Sequence, residues 1–126
     1  MHRDGGLWLA VLLLGICWCA PASFATTFYV RTTGNNSADG RTPATAFATI
    51  KHAAQVLQNP GDRIIVGAGT YTEFDIAPAR SGVPGNPVEL IADVTGSLTG
   101  DGANPIIVNV AGQSTGFILV GRSHMR

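Results

Sequence analysis

The chain has 126 residues with eight basic and eight acidic side chains, a formal net charge of zero, and two cysteines. So even a balance supplies no field for nucleic acid or an anionic membrane surface. Cys17 and Cys19 both fall in the first 25 residues, so the remainder excludes disulfides, thiolate metal sites and a cysteine nucleophile.

Those first 25 residues differ from the rest. Met1 to Asp4 is a short polar start, Leu7 to Ala20 is an almost unbroken apolar run, and Ser23 and Ala25 are small residues at the −3 and −1 positions of a cleavage site. This is the layout of a secretory signal peptide, residues 1–25, removed after Ala25. The apolar run is shorter than the roughly 20 residues a spanning helix needs. An uncleaved anchoring helix is the alternative, and lipid attachment at either cysteine is disfavoured because Ile16 and Trp18 precede the thiols. The expectation is an exported protein, secreted or held in the cell envelope, whose roughly 100 remaining residues are held together by burial alone.

Thr27 to Arg31 is β-branched and aromatic and predicts a strand. A dense cluster of turn formers from Thr33 to Pro43 predicts a loop. Ile50, Ala53, Ala54 and Leu57 then recur at i, i+3, i+4 and i+7, which predicts a helix over 49–58 with Thr49 as its cap and Asn59-Pro60-Gly61 as its stop. Beyond it, Ile64-Ile65-Val66, Val88 to Ile91, Ile106 to Val108 and Phe117 to Val120 are short apolar strands separated by Gly- and Pro-rich stretches. These separations exceed the roughly 8 to 12 residues of a meander, yet no helix fills them as a parallel crossover would require. A chain that makes parallel strands without helices does so by coiling, so a β-solenoid with the helix as lid over its first coil is expected. A small β-sandwich with one helix is the alternative.

Gly67-Ala68-Gly69 follows a strand and raises the question of a dinucleotide turn. The third glycine of that motif would fall at Thr72, and Thr70-Tyr71-Thr72 favours extended backbone over a helix start. A tight corner between two strands is the better reading.

The run "TFYVRTTGNNSADGRTPATAFATIKHAAQVLQNPGDRIIVGAGTYTE" resembles the amino-terminal signature of secreted right-handed parallel β-helix proteins of the pectate-lyase-like superfamily. A strand "YV", a Gly-Asn loop, a "FATI" helix start, a "PGDRIIV" strand and an "AGTY" corner follow in order, and "SGVPGNPVELIAD" is similar to the next coil. The resemblance spans about residues 27–93 and implies an all-β parallel β-helix, with a cap over 26–62 and coils over 63–126. It further implies a carbohydrate-active parent, polysaccharide lyase-like, using calcium and a Lys or Arg base on later coils, or a non-catalytic surface or adhesion scaffold on the same fold. None of those ligands or bases maps onto this chain. No catalytic or metal residue and no cofactor is assigned to it, and the implied partner is a polysaccharide or cell-surface glycan. Gly121 to Arg126 contains no capping helix, so a fragment with an open edge, prone to edge-to-edge self-association, is expected.

Local candidates remain. Glu73 and Asp75 are two apart, on one face if a strand continues, as a cation site or acid and base pair; a solvated strand face is the plain alternative. Asn35-x-Ser37-x-Asp39-Gly40 resembles half a calcium loop, but Ala46 stands where the bidentate Glu belongs. His52 lies off the helix stripe and is expected to be exposed. Asn35-Asn36-Ser37 is a glycosylation sequon relevant only in a eukaryotic secretory pathway. Tyr29, Tyr71 and Phe74 are aromatics that stack on sugars or pack inside.

Overall fold

The computed structural model describes residues 24–117 and 124–126. The leader expected at 1–25 lies almost wholly outside them, as does most of the strand expected at 117–120. Five strands, β1 (Thr27–Val30), β2 (Arg63–Val66), β3 (Gly69–Thr72), β4 (Glu89–Ala92) and β5 (Ile106–Asn109), accompany one short helix, α1 (Ile50–Gln55), and a 3-10 turn at Pro43–Thr45. The chain is strand-rich and helix-poor, as the all-β reading expects.

The strands form two small sheets, ordered β1-β2-β4 and β3-β5. The three strand pairs among the described residues are all parallel, whereas a β-sandwich is built on antiparallel ladders. Registers align across three strands: Thr27, Arg63 and Glu89 form one row, and Val30, Val66 and Ala92 another. The ladder continues past β4, where Leu90 N–H donates to the Arg126 carbonyl at 2.6 Å and Arg126 N–H to that of Val88 at 2.8 Å. Ile76 likewise pairs in parallel with Phe117. The outward row carries Arg63 on Glu89 at 2.8 Å and Arg126 on the other oxygen of Glu89 at 3.2 Å, an exposed ladder worth about 0–1 kcal/mol per pair.

Alternation along the strands sends Phe28, Val30, Ile64, Val66 and Tyr71 inward, where they join Phe47, Ile76 and Val88 in one core. The predicted stripe Ile50, Ala53, Ala54 and Leu57 is buried against them. Phe28 and Phe47 stack with ring centroids 5.9 Å apart. The free edge of β1 is closed by the loop before the helix: Tyr29 N–H donates to Gly40 O, Phe47 N–H to Tyr29 O and Arg31 N–H to Phe47 O. Gly40, at φ 69°, is required there because any Cβ would lie 2.3 Å from the Phe47 ring.

The helix is shorter than its sequence pattern. Thr49 caps it as expected, its hydroxyl accepting from His52 N–H at 3.2 Å. At the other end Gln58 and Asn59 donate to Asp62 Oδ2 at 2.8 and 2.9 Å instead of extending the helix. The second Asp62 oxygen accepts Thr26 N–H at 2.7 Å, at the entry to β1. One fully buried carboxylate thus ends α1, starts β2 and anchors β1.

Asp93 does the same after β4. Its Oδ2 accepts Leu98 N–H, Thr99 N–H and the Thr99 hydroxyl at 2.8–2.9 Å, and its Oδ1 accepts the Thr95 hydroxyl at 3.2 Å. Burial is the largest single influence and raises the Asp93 pKa, but the hydrogen bonds from Thr99, Leu98 and Thr95 together outweigh it and hold the group below the usual carboxylate value. A carboxyl depressed in the folded state contributes stability above its unfolded pKa of about 3.9 and loses it as pH falls through the folded value.

Removing Asp62 strands three backbone donors. Asp62→Ala is expected to lower unfolding free energy by about 3 kcal/mol or more, on about 1–3 kcal/mol for each charged hydrogen bond. Urea titration of the variant checks this, and unchanged stability would contradict the role.

Candidate functional site

The sequence pair Glu73 and Asp75 does not behave as one unit. Glu73 follows β3 and is buried; its Oε2 accepts Ile50 N–H at 2.9 Å and its Oε1 accepts Lys51 N–H at 2.8 Å, so the carboxylate clamps the start of α1. Asp75 is exposed, at a left-handed φ of 54°, with its N–H on the Thr115 carbonyl. The chain bends between them because Glu73 turns in to the helix. Among the described residues no group of three His, Cys, Asp or Glu side chains is gathered to hold a metal.

Beside the clamp lies a cleft of about 310 Å³, with Glu73 and Thr49 in its lining and Asn36, Lys51, His52, Gln55, Thr72 and Phe74 around it. Asn36 fixes one wall: its Oδ1 accepts Ala48 and Thr49 N–H, and its Nδ2 donates to the Thr49 hydroxyl at 3.0 Å. Phe74 is 40% exposed. The Lys51 ammonium lies 5.5 Å from its ring centroid and 3.4 Å from its carbonyl oxygen, a cation–π contact. His52 is half-buried, its ring edge-on to Phe47 at 4.6 Å, where its place off the stripe had suggested exposure. Sequence reading singled out Glu73, Phe74 and His52 as candidates, named Asn36 only within a sequon and Thr72 only as a strand former, and passed over Lys51 and Gln55. The i, i+4 spacing of Lys51 and Gln55 on the polar face of α1 was the available signal.

A second cavity, about 330 Å³, opens below β4 among Ile64, Ile76, Val88, Leu90, Phe117 and Met125. It is the inner, apolar side of the strand stack and supplies almost no polar chemistry.

The glycine corner carries an unexpected tenant. Gly67 and Gly69 do join β2 to β3, with positive φ at Gly69, 137°. A Cβ on Gly67 would meet Asp101 Oδ2 at 2.2 Å, so the close approach the glycine permits is by the protein's own carboxylate. Arg31 Nε donates to Asp101 Oδ1 at 2.8 Å, Arg31 Nη2 bonds the same oxygen, and Arg31 Nη1 donates to the Pro43 carbonyl at 3.1 Å. Its hydrogen bond to Asp101 raises the Arg31 pKa further. Asp101 Oδ2 is buried without a hydrogen-bond partner among the described residues.

Tyr71 packs inward at the same corner and donates its hydroxyl to Gly67 O at 2.9 Å, with Val30 O at 3.4 Å. Tyr29 lies in β1, half-buried. The calcium-like loop closes on itself: Asn35 Oδ1 accepts Ser37 N–H at 2.8 Å, and Asp39 Oδ1 accepts Arg41 N–H and the Thr45 hydroxyl. The Thr45 bond is the chief cause of a lowered Asp39 pKa.

No family model and no curated protein matches the chain. Among solved structures, it is similar to one described as the complex structure of XylC with xylose, at 31% identity and a TM-score of 0.48, over 53% of this chain and 10% of that one. It is also similar to GH136 lacto-N-biosidase from Eubacterium ramulus. The native protein gives 18% identity and a TM-score of 0.47 over 69% of this chain and 13% of that one. Its selenomethionine derivative gives 20% and 0.47 over 53% and 11%. The chain spans about a tenth of the length of these structures.

Burial above all, then the negative charges of Asp101 and Glu73, push the Tyr71 phenol up to about 12, against a smaller opposing pull from Arg31. The neutral phenol is favoured by folding, so this contribution is complete below the unfolded value of about 10 and disappears as pH rises through the folded one. In a Tyr29→Phe variant, ultraviolet titration of the remaining tyrosine is expected to show a midpoint near 12. A midpoint near the ordinary phenol value of about 10 in folded protein would contradict this burial.

Proposed function

We propose that this chain forms the cap and first coils of an exported right-handed parallel β-helix protein of carbohydrate-active type. The observation that supports the reading most is the in-register row Thr27, Arg63 and Glu89. A chain that returns to the same register after each excursion, with parallel neighbours and no helix between β2 and β4 or between β3 and β5, follows a coiled path. Right-handedness accords with the general rule for parallel connections. The ordered run from Thr27 to Glu73 adds the family resemblance, and α1 packed over β1 and β2 suits a lid over the first coil. In that reading the glycan is the partner, calcium belongs to later coils, and residues 1–25 direct export.

The second reading, a non-catalytic surface scaffold, draws support from the buried acids. Asp62, Glu73 and Asp93 are all occupied with backbone N–H groups and so are unsuited to acid–base work. Both readings give this chain no bond-breaking role. Residues 26–126, incubated with calcium and a panel of acidic and neutral polysaccharides, are expected to retain at least one glycan in affinity electrophoresis and to release no unsaturated sugar. Unsaturated product would overturn the assignment of catalysis to other coils; absence of retention on every glycan would overturn the carbohydrate reading.

A further inference from the structure

We infer that the cleft beside α1 is a binding subsite for one neutral sugar ring, an inference that rests on the carbohydrate reading only for the source of that ring. Its volume, about 310 Å³, is at the small end of the roughly 300–1,000 Å³ usual for ligand clefts. That suits a single ring better than an extended chain.

The chemistry of the wall is mixed in a particular way. Phe74 offers a part-exposed aromatic ring; the Lys51 ammonium approaches one part of it, and the exposed remainder suits the C–H face of a pyranose. Around it, the Gln55 amide, the Thr72 hydroxyl and the His52 ring nitrogens have no hydrogen-bond partner among the described residues. The amide and the hydroxyl, like a neutral imidazole, both donate and accept. Such groups match the vicinal hydroxyls of a sugar, each also donor and acceptor. Asn36, tied to three groups of residues 48 and 49, and Glu73, tied to the helix backbone, hold the cleft in shape before a ligand arrives. Preformed geometry lowers the ordering cost of binding.

Charge sets the class. The cleft contains one ammonium, Lys51, and one buried carboxylate, Glu73. Lys51 already lies over Phe74 and against its carbonyl, while Glu73 would repel an acidic ring set beside it. The helix-start N–H groups that could draw an anion are taken by Glu73 and Thr49. A neutral sugar meets no such opposition.

The test is an amide-resolved NMR titration of the folded protein with neutral oligosaccharides (xylo-, cello-, manno- and galacto-series) and, in parallel, oligogalacturonate. The expected result is that a neutral series shifts the amides of Lys51, Gln55 and Phe74, with affinity unchanged by added salt, and that oligogalacturonate does not. Phe74→Ala should weaken binding about ten-fold or more, and Gln55→Ala about three- to ten-fold; both side chains are exposed, and unchanged spectra elsewhere certify folding. Oligogalacturonate binding there more tightly than every neutral series would overturn the assignment of class. Sugar-induced shifts elsewhere that survive Phe74→Ala would overturn the cleft and leave the carbohydrate reading standing. No shift from any glycan would remove both.

Discussion

Three buried carboxylates facing backbone N–H groups, none of them in a side-chain ion pair among the described residues, are what the rest of this structure depends on. Asp62 gathers donors from residues 26, 58 and 59; Glu73 from 50 and 51; Asp93 from 98 and 99, with two hydroxyls added. Burying a polar or charged group is costly unless it is well hydrogen-bonded, and two or three amide donors supply that compensation. Each acid sits at the end of a strand: before β2, after β3 and after β4. Irregular excursions, whose backbone cannot satisfy itself in a ladder, are thereby fixed at the points where they leave the sheet.

This explains how a chain without thiols beyond residue 19 holds long loops. Disulfides would restrain them by cross-linking; here the restraint is electrostatic, from carboxylates to backbone N–H groups both nearby and, for Asp62 and Glu73, as far as 36 and 23 residues away along the chain. Glu73 couples the two ends of the account, because the same carboxylate that starts α1 also shapes the cleft. Arg31 and Asp101 add a fourth tie across the Gly67 corner.

Most of the strand positions were legible because apolar residues clustered between Gly and Pro signals, and α1 because Ile50, Ala53, Ala54 and Leu57 keep helical spacing. Its end was not, since the pattern runs on to residue 57 while Asp62, outside the pattern, withdraws the donors. The 3-10 turn at Pro43–Thr45 was hidden in a stretch read only as loop; its Thr42–Thr45 capping box is a local signal that periodicity does not weigh. For the site, spacing of two between Glu73 and Asp75 was sound for a straight strand. It failed because β3 ends at Thr72 and Glu73 meets a helix that lies 22 residues back along the chain at Lys51. The polar groups of the cleft likewise come from three separated stretches, which no local pattern joins.

Amide hydrogen exchange followed by NMR near neutral pH tests the central claim most directly. If buried carboxylates fix the excursions, the N–H groups of Ile50, Lys51, Gln58, Asn59, Leu98 and Thr99 should exchange as slowly as those of β2, although none lies in a strand ladder. Fast exchange at these positions, typical of solvated loops, while β2 stays protected would contradict the account.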